Sequence, residues 1–560
     1  MAALAGCVRA HDATSIVARM THRGARHAAG APLAVSGRID VELHEQNGDA
    51  IAVVGYVRDG ERSLRARHVL ERWRGLGTRM FDGLDGEFAI AISTSDGTWV
   101  ARDRVGTRPL YVATLRGGAV AFATSMRHLV AAGAPTTIDR DAIVCSLALG
   151  YAPAPRTAIA AIRQVGPGEC WQLAKTRREH RYFQPRERIA RGRSLEAAAR
   201  LLDRALDRAV ASAVPANGRI GAFLSGGIDS SLVLARLREL GHRVDAYTLH
   251  FGDTAPSELP YANAVARHLR VPHHVLDLDA RHFADAVIPA LVELEDLLAE
   301  PIAVPNFLLA RQAARTVDVL FTGEGGDPTF GGPKNVGMVL SHIYADRHAP
   351  PFADCYLTAH HHLYDDLDRA LAPDMLRAFD RNQLERELLA QISPRTRGTI
   401  VGRLMAANLA LKGGNNILVK VAKMVGAHDV ALRSPLFARE IVDLALTIPP
   451  AQKLFGSDEK LVMKRVAARS LPRPVVERPK RGMAVPLARW LRGPLGEVAR
   501  DVLTPRAVRE RGVFRWPYVR DLLSGRESPT ELSRSRSAEK LWLVLVTELY
   551  LRTLERGDRP

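Results

Sequence analysis

The stretch that most narrows what this chain can fold into is residues 219–237, Arg-Ile-Gly-Ala-Phe-Leu-Ser-Gly-Gly-Ile-Asp-Ser-Ser-Leu-Val-Leu-Ala-Arg-Leu. An apolar run (Ile220, Ala222, Phe223, Leu224) stops at Ser225-Gly226-Gly227, and beyond it Leu232, Val233, Ala235 and Leu237 recur at helical spacing. The pattern predicts a strand, a tight loop and a helix. Two glycines let the backbone turn sharply and come close to a ligand. The free N–H groups and positive dipole end of the following helix then face any anion held in the loop. Ser225, Ser230 and Ser231 add hydroxyl donors, and Asp229 sets a carboxylate beside a phosphate, where Mg²⁺ is commonly held. The plain alternative is a glycine-rich turn with solvated serines.

No G-x-x-x-x-G-K-[ST] occurs, so this is not the loop of the common NTPases. Ser-Gly-Gly-x-Asp-Ser instead resembles the PP-motif of the ATP pyrophosphatases, which cleave ATP between the α and β phosphates and pass AMP to an oxygen. A second glycine-rich turn follows the apolar run 317–321, in Thr322-Gly323-Glu324-Gly325-Gly326-Asp327-Pro328-Thr329-Phe330-Gly331-Gly332. It returns two carboxylates, Glu324 and Asp327, to the phosphate region, and Asp229 with Asp327 makes a sensible oxygen pair for Mg²⁺. For Glu324 the competing reading is a loop carboxylate in water.

At 560 residues the chain is too long for one ordinary core, which favours two domains. Residues 1–185 read as β-rich, with short strands expected at 52–57, 87–93, 99–101 and 119–123 between Gly and Asp turns. From about 190 onward, apolar strand runs alternate with helices, which predicts a mainly parallel sheet. Residues 244–251 form the next expected strand after the PP-motif helix. Ligands in such folds sit at the carboxyl ends of strands, so the backbone around Leu249 is placed to receive adenine.

Several segments together resemble class B asparagine synthetase. In the N-terminal part these are Met20-Thr21-His22-Arg23-Gly24, Leu84-Asp85-Gly86-Glu87-Phe88-Ala89-Ile90-Ala91, and residues 101–111 from Ala101-Arg102-Asp103 to Leu110-Tyr111. Gly150-Tyr151-Ala152-Pro153-Ala154-Pro155 and Val165-Gly166-Pro167-Gly168-Glu169 resemble the family's passage into the synthetase domain. Later matches are Glu300-Pro301, Asn415-Asn416-Ile417-Leu418, Leu432-Arg433-Ser434-Pro435-Leu436, Lys460-Leu461-Val462-Met463-Lys464-Arg465 and Arg478-Pro479-Lys480-Arg481-Gly482.

The resemblance implies an α/β protein of two domains. Residues 1–185 would be an Ntn-hydrolase-like (class II glutamine amidotransferase) αββα domain. Residues 195–560 would be an ATP-pyrophosphatase-type, adenine nucleotide α-hydrolase-like domain with a mainly parallel sheet. It implies ATP and Mg²⁺ as cofactors, with Leu224, Ser225, Gly226, Gly227, Asp229, Ser230, Leu249, Thr322, Gly323 and Asp327 holding the nucleotide and Asp229 and Asp327 the metal. Lys480 would stabilise charge in acyl transfer and Glu324 would orient or deprotonate the amine. The implied reaction is carboxylate activation as an acyl-adenylate followed by amide formation, with AMP and pyrophosphate released.

Departures from the family bear on the nitrogen source and on the acid. The family's mature chain starts with a Cys nucleophile, and here Ala2-Ala3-Leu4-Ala5-Gly6 occupies that stretch. A methyl group cannot attack an amide. Val54-Gly55-Tyr56 stands where the family has a glutamine-binding Asn-Gly-Glu. Pro328, Ala431 and Ala438 stand where the family has carboxylates, which puts aspartate as substrate in doubt. Free ammonia is one nitrogen source. A ring-closing ligase acting on a peptide or small molecule, in the manner of lasso peptide cyclases and β-lactam synthetases, is another reading. A glutamine-dependent enzyme with Cys7 exposed by processing, and a non-catalytic nucleotide-binding relic, are the remaining ones.

Composition excludes other classes. The formal charge of +17 is spread along the chain without a dense basic tract, so no nucleic-acid partner is expected. No apolar run of about 18 residues exists, so no membrane partner is expected either. The apolar start is too short for a signal peptide, which points to the cytoplasm. Cys7, Cys145, Cys170 and Cys355 lack metal or disulfide spacing. His360-His361-His362 point in different directions on a helix and make a poor metal site, and His273 and His274 read as structural. The sequence leaves a homodimer open.

Overall fold

A computed structural model describes residues 2–556 except 9–11, 22–24, 30, 38, 175–176, 253–256, 345–355, 357–361, 392–397, 457, 479–482 and 526–530. Lys480, Cys355, His360 and His361 therefore lie outside the described residues.

The N-terminal part is two antiparallel sheets stacked face to face. Among the described residues one sheet has six strands, with Ala3–Val8 between Leu33–Ser36 and Val120–Ala123, and the other has seven, centred on Asp49–Asp59 and Leu84–Thr94. The expected strand at 52–57 is the middle of Asp49–Asp59, and its period-2 pattern explains the layering. Ala50, Ala52 and Val54 face Leu4, Val35 and Phe122 of the other sheet. Ile51, Val53 and Val57 face outward to Val69, Leu70 and Trp73 of the helix Ala66–Leu76. The helices Ala13–Met20 and Met126–Ala131 cover the first sheet through Val17, Met20 and Leu129. The result is the expected αββα sandwich.

In the C-terminal part the described residues hold one parallel sheet of five strands. Its spatial order is His273–Asp277, Val244–His250, Ile220–Phe223, Val319–Phe321, Ala431–Arg433. Strand order reverses between Ile220–Phe223 and Val319–Phe321, and a parallel sheet opens a crevice at the carboxyl ends of such a pair. Helices cover both faces. Leu202, Leu206 and Val210 of Leu195–Ala213 pack with Leu232, Val233 and Val466 on one side, and Leu309, Val421 and Val425 on the other. The long helix Glu531–Arg556 places Trp542 and Leu545 in the largest apolar cluster among the described residues. Among the described residues no helix is long and apolar enough to cross a membrane.

Charged groups are buried where the two parts meet. The fully buried Arg433 forks onto Asp40, donating to Oδ2 at 2.6 Å and Oδ1 at 2.8 Å. Ser434 N–H donates to Glu87 Oε1 at 2.5 Å. Arg104 pairs with Asp443 at 2.6 Å, and Arg102 donates to the Gly414 carbonyl. Burial pushes the Glu87 carboxyl up to about 7, against the pull of Arg108, Arg433 and the Ser434 N–H. Native Glu87 thus keeps its proton to a higher pH than the unfolded chain does, so its stabilising share is complete below the ordinary carboxyl range and is lost as pH rises through about 7. Glu87→Gln removes that dependence. Thermal melts between about pH 5 and pH 8 should show the variant gaining on the parent as pH rises, by no more than about 3 kcal/mol. Parallel curves would contradict this.

Candidate active site

Two loops meet at the switch point of the sheet. The first leaves Ile220–Phe223, turns at Gly226 with φ +71°, and enters the helix Ile228–Glu239 with Gly227 as N-cap. Gly226 is required twice over: a side chain there would be strained, and its Cβ would lie 2.4 Å from the Ala262 nitrogen. Ser225 Oγ and Ser230 Oγ stand 3.2 Å apart, and Gly227 N–H donates to Ser225 Oγ at 3.2 Å. The serine hydroxyls close over the loop they are expected to lend to phosphate.

The second loop leaves Val319–Phe321. Thr322 N–H donates to the Arg433 carbonyl at 2.9 Å, and Glu324 N–H donates to Thr322 Oγ1 at 3.2 Å. Gly325 takes φ +114°. The loop lies directly on the first: a Cβ on Gly323 would sit 2.3 Å from the Ser230 nitrogen, and one on Gly326 would sit 2.2 Å from Asp229 Oδ1. These close approaches bring the two halves of the expected site together.

The loops face a cavity of about 330 Å³. Leu224, Ser225, Asp229, Ser230, Leu249, Thr322, Gly323, Glu324 and Asp327 all line it, as does Pro328. Gly226 and Gly227 shape the loop behind that wall. Lys480 is the expected residue on which the described structure is silent, although Arg478, just before it, is held at the site. Arg478 pairs with Glu258, which lines the cavity, and its guanidinium lies 4.7 Å from the Tyr261 ring centroid.

Sequence reading gave no role to Lys460, which the fold brings to the centre. It sits at the start of the helix Leu461–Ala467 in a left-handed conformation, with its side chain 2% exposed. Its ammonium lies 2.5 Å from Asp229 Oδ2 and also contacts Asp327 Oδ1. The two carboxylates are therefore close enough to share one cation. Hard carboxylate oxygens suit Mg²⁺, which keeps most of its shell for water and phosphate, so two protein ligands are enough. Among the described residues no group of three His, Cys, Asp or Glu gathers to form a self-sufficient metal site.

The opposite wall was also missed. Glu300, quoted only as part of a motif, is clamped between Lys420 and Lys412, the latter at 3.3 Å. Burial of the Lys412 ammonium works against its charge, but Glu300 outweighs it and raises the pKa above the usual lysine value. Ile302, Leu309, Ile417, Val421 and Met483 make the rest of that wall apolar.

In the N-terminal part the stretch that stands where the family has its Cys nucleophile lies at the first sheet. Ala2 borders a cavity of about 40 Å³ between the two parts, together with Asp40, Arg108, Thr124 and Lys423. Cys7 is fully buried in the strand Ala3–Val8, paired with Ala121, and burial pushes its thiol up to about 11. His273 and His274 bond to Thr248, Asn263 and Asp245, in keeping with a structural role.

Comparison with known proteins agrees with this geometry. Residues 201–552 match the asparagine synthase family model, and residues 66–183 match the glutamine amidotransferase domain model. A Mycobacterium tuberculosis (strain ATCC 25618 / H37Rv) protein, named as a candidate glutamine-hydrolysing asparagine synthetase, is 29% identical over 490 residues, covering 80% of this chain and 73% of its own. Asparagine synthetase (glutamine-hydrolysing) 1 of Bacillus subtilis (strain 168) is 23% identical over 485 residues, covering 80% of this chain and 74% of its own. With more than half its length matched by one family model and two facing loops at the switch point of its parallel sheet, the chain belongs to the asparagine synthase family.

Proposed function

We propose that this protein is an ATP-dependent ligase that activates a carboxylate as its acyl-adenylate and converts it to an amide, drawing nitrogen from ammonia or an amine and not from glutamine. The observation that carries the first half is the convergence of Asp229 and Asp327 on one ammonium beside the glycine loop. The N–H groups of the loop and of the first turn of Ile228–Glu239 hold the phosphates. Mg²⁺, held by Asp229 and Asp327, would neutralise phosphate charge. A carboxylate oxygen attacks the α-phosphorus and pyrophosphate leaves with the bridging oxygen. Nitrogen then attacks the acyl carbon, the bond to AMP breaks, and Glu324 takes the proton that the nitrogen sheds. Lys460 and Lys480 offset charge on the phosphates, where a fixed cation in a dry site is worth several kcal/mol.

Two observations support the second half. Ala2 offers no nucleophile, and its cavity of about 40 Å³ has room for little more than water. Freeing Cys7 by removing the residues before it would strip out Ala3–Gly6, which pair with Leu33–Ser36 in the middle of a sheet. A ring-closing variant, in which acid and amine belong to one substrate, is favoured by the apolar wall and by Pro328 at the cavity edge.

The test is AMP and pyrophosphate release from Mg-ATP by the whole protein, with aspartate plus ammonia, aspartate plus glutamine, and neither, alongside a direct measurement of Mg-ATP binding. Binding is expected, and glutamine should give no more turnover than its absence. Turnover that requires glutamine would overturn the second half, and failure to bind Mg-ATP would overturn the first. Silence in all three arms with Mg-ATP bound would favour the ring-closing variant. Where turnover is found, Lys480→Ala should lower it about a hundredfold.

A further inference from the structure

We infer that Asp40 and Glu87 of the N-terminal domain are positioning residues for the carboxylate loop 322–327, acting through the segment 431–437. The inference rests on the ATP-ligase reading above.

The segment touches both sides. Toward the N-terminal domain, Arg433 forks onto Asp40 and Ser434 N–H ends on Glu87 Oε1. Asp40 is itself fixed, because its carbonyl accepts the Gly55 N–H at 2.8 Å. The Tyr56 ring lies 4.8 Å from the Arg433 guanidinium, and Arg433 Nε donates to the Ala213 carbonyl. Toward the site, the Arg433 carbonyl accepts the Thr322 N–H, and Thr322 Oγ1 accepts the Glu324 N–H. Gly325 lies so close to Leu436 and Phe437 that a Cβ on it would meet them at 2.9 and 3.0 Å. The contacts are buried or part-buried hydrogen bonds and close packing, which leave a shift of Arg433 little slack along the way. Glu324 and Asp327 therefore take their place partly from a domain none of whose described residues lines the cavity.

The test measures the affinity of the full chain for Mg-ATP by calorimetry at pH 7. Glu87→Ala removes the acceptor for Ser434 N–H and is expected to weaken binding about tenfold. Glu87→Gln keeps an acceptor oxygen and should bind within about twofold of the parent. Arg104→Gln breaks a different interdomain pair, to Asp443, without touching 431–437, and should leave affinity unchanged whatever it does to the melting temperature. Equal binding by Glu87→Ala and the parent would overturn the inference and leave the ligase reading intact. Equal weakening by Glu87→Gln, or weakening by Arg104→Gln, would also overturn it, because general loosening would then explain the loss. No binding by the parent would remove the ligase reading and this inference together.

Discussion

Replacing Lys460 by Met is expected to lower stability and disable the site together. The ammonium is buried between Asp229 and Asp327, and without it two carboxylates face each other across a loop contact. Removing one partner of a buried pair costs about 3–5 kcal/mol when the remaining charge is enclosed. Asp327 is half exposed, so water recovers part of that and a loss of about 2–3 kcal/mol is expected. Mg²⁺ can take up the excess negative charge. Thermal melts should therefore show the gap between Lys460→Met and the parent narrowing as Mg²⁺ is added, while phosphate-site chemistry falls by more than about a hundredfold. A variant that melts like the parent without Mg²⁺ would mean that the ammonium does not hold the two loops.

Gly323→Ala should do comparable damage by geometry alone. The added methyl would lie 2.3 Å from the Ser230 nitrogen and 2.6 Å from its Cα, both backbone atoms at the start of a helix. No flexible side chain is there to give way, so the loops must part. Overpacking of this kind costs about 1–3 kcal/mol. A displacement approaching 1 Å between the phosphate loop and the carboxylate loop is worth about a hundredfold in rate. Gly337→Ala is the control, because a Cβ there meets nothing and the residue is helical. It should be neutral or slightly stabilising. Unchanged Mg-ATP affinity in Gly323→Ala would show that the two loops are not in register as described.

Local pattern was enough for the glycine loop. The apolar run to Leu224, the Ser-Gly-Gly break and the helical spacing after it are neighbours in sequence, and each makes its own element. Resemblance carried the carboxylate loop, and the sheet explains why it had to be there, because Ile220–Phe223 and Val319–Phe321 are adjacent in space. Lys460 could not be found this way. It reaches Asp229 across 231 residues, and nothing about a lysine before an apolar helix marks it as internal. The clamp of Glu300 by Lys412 and Lys420 was hidden for the same reason. The stretch Lys412-Gly413-Gly414-Asn415-Asn416 lies in the widened helix Asn408–Ile417, and two adjacent glycines give no local sign of a helix there. Gly414 is small for a reason visible only in three dimensions, since a Cβ there would strike the Val105 carbonyl at 2.3 Å.

The burial of Arg433 against Asp40 also bears on the history of such a chain. A guanidinium enclosed at the edge of one domain, with its counterion on the other, makes the second domain hard to discard. Truncation would remove that counterion and open the guanidinium and the surface around it to water. A lineage could then change the chemistry at Ala2, which is not part of that contact, yet remain unable to delete the N-terminal domain. Shedding the domain would first require a new residue at position 433, inside the strand whose carbonyl holds the carboxylate loop.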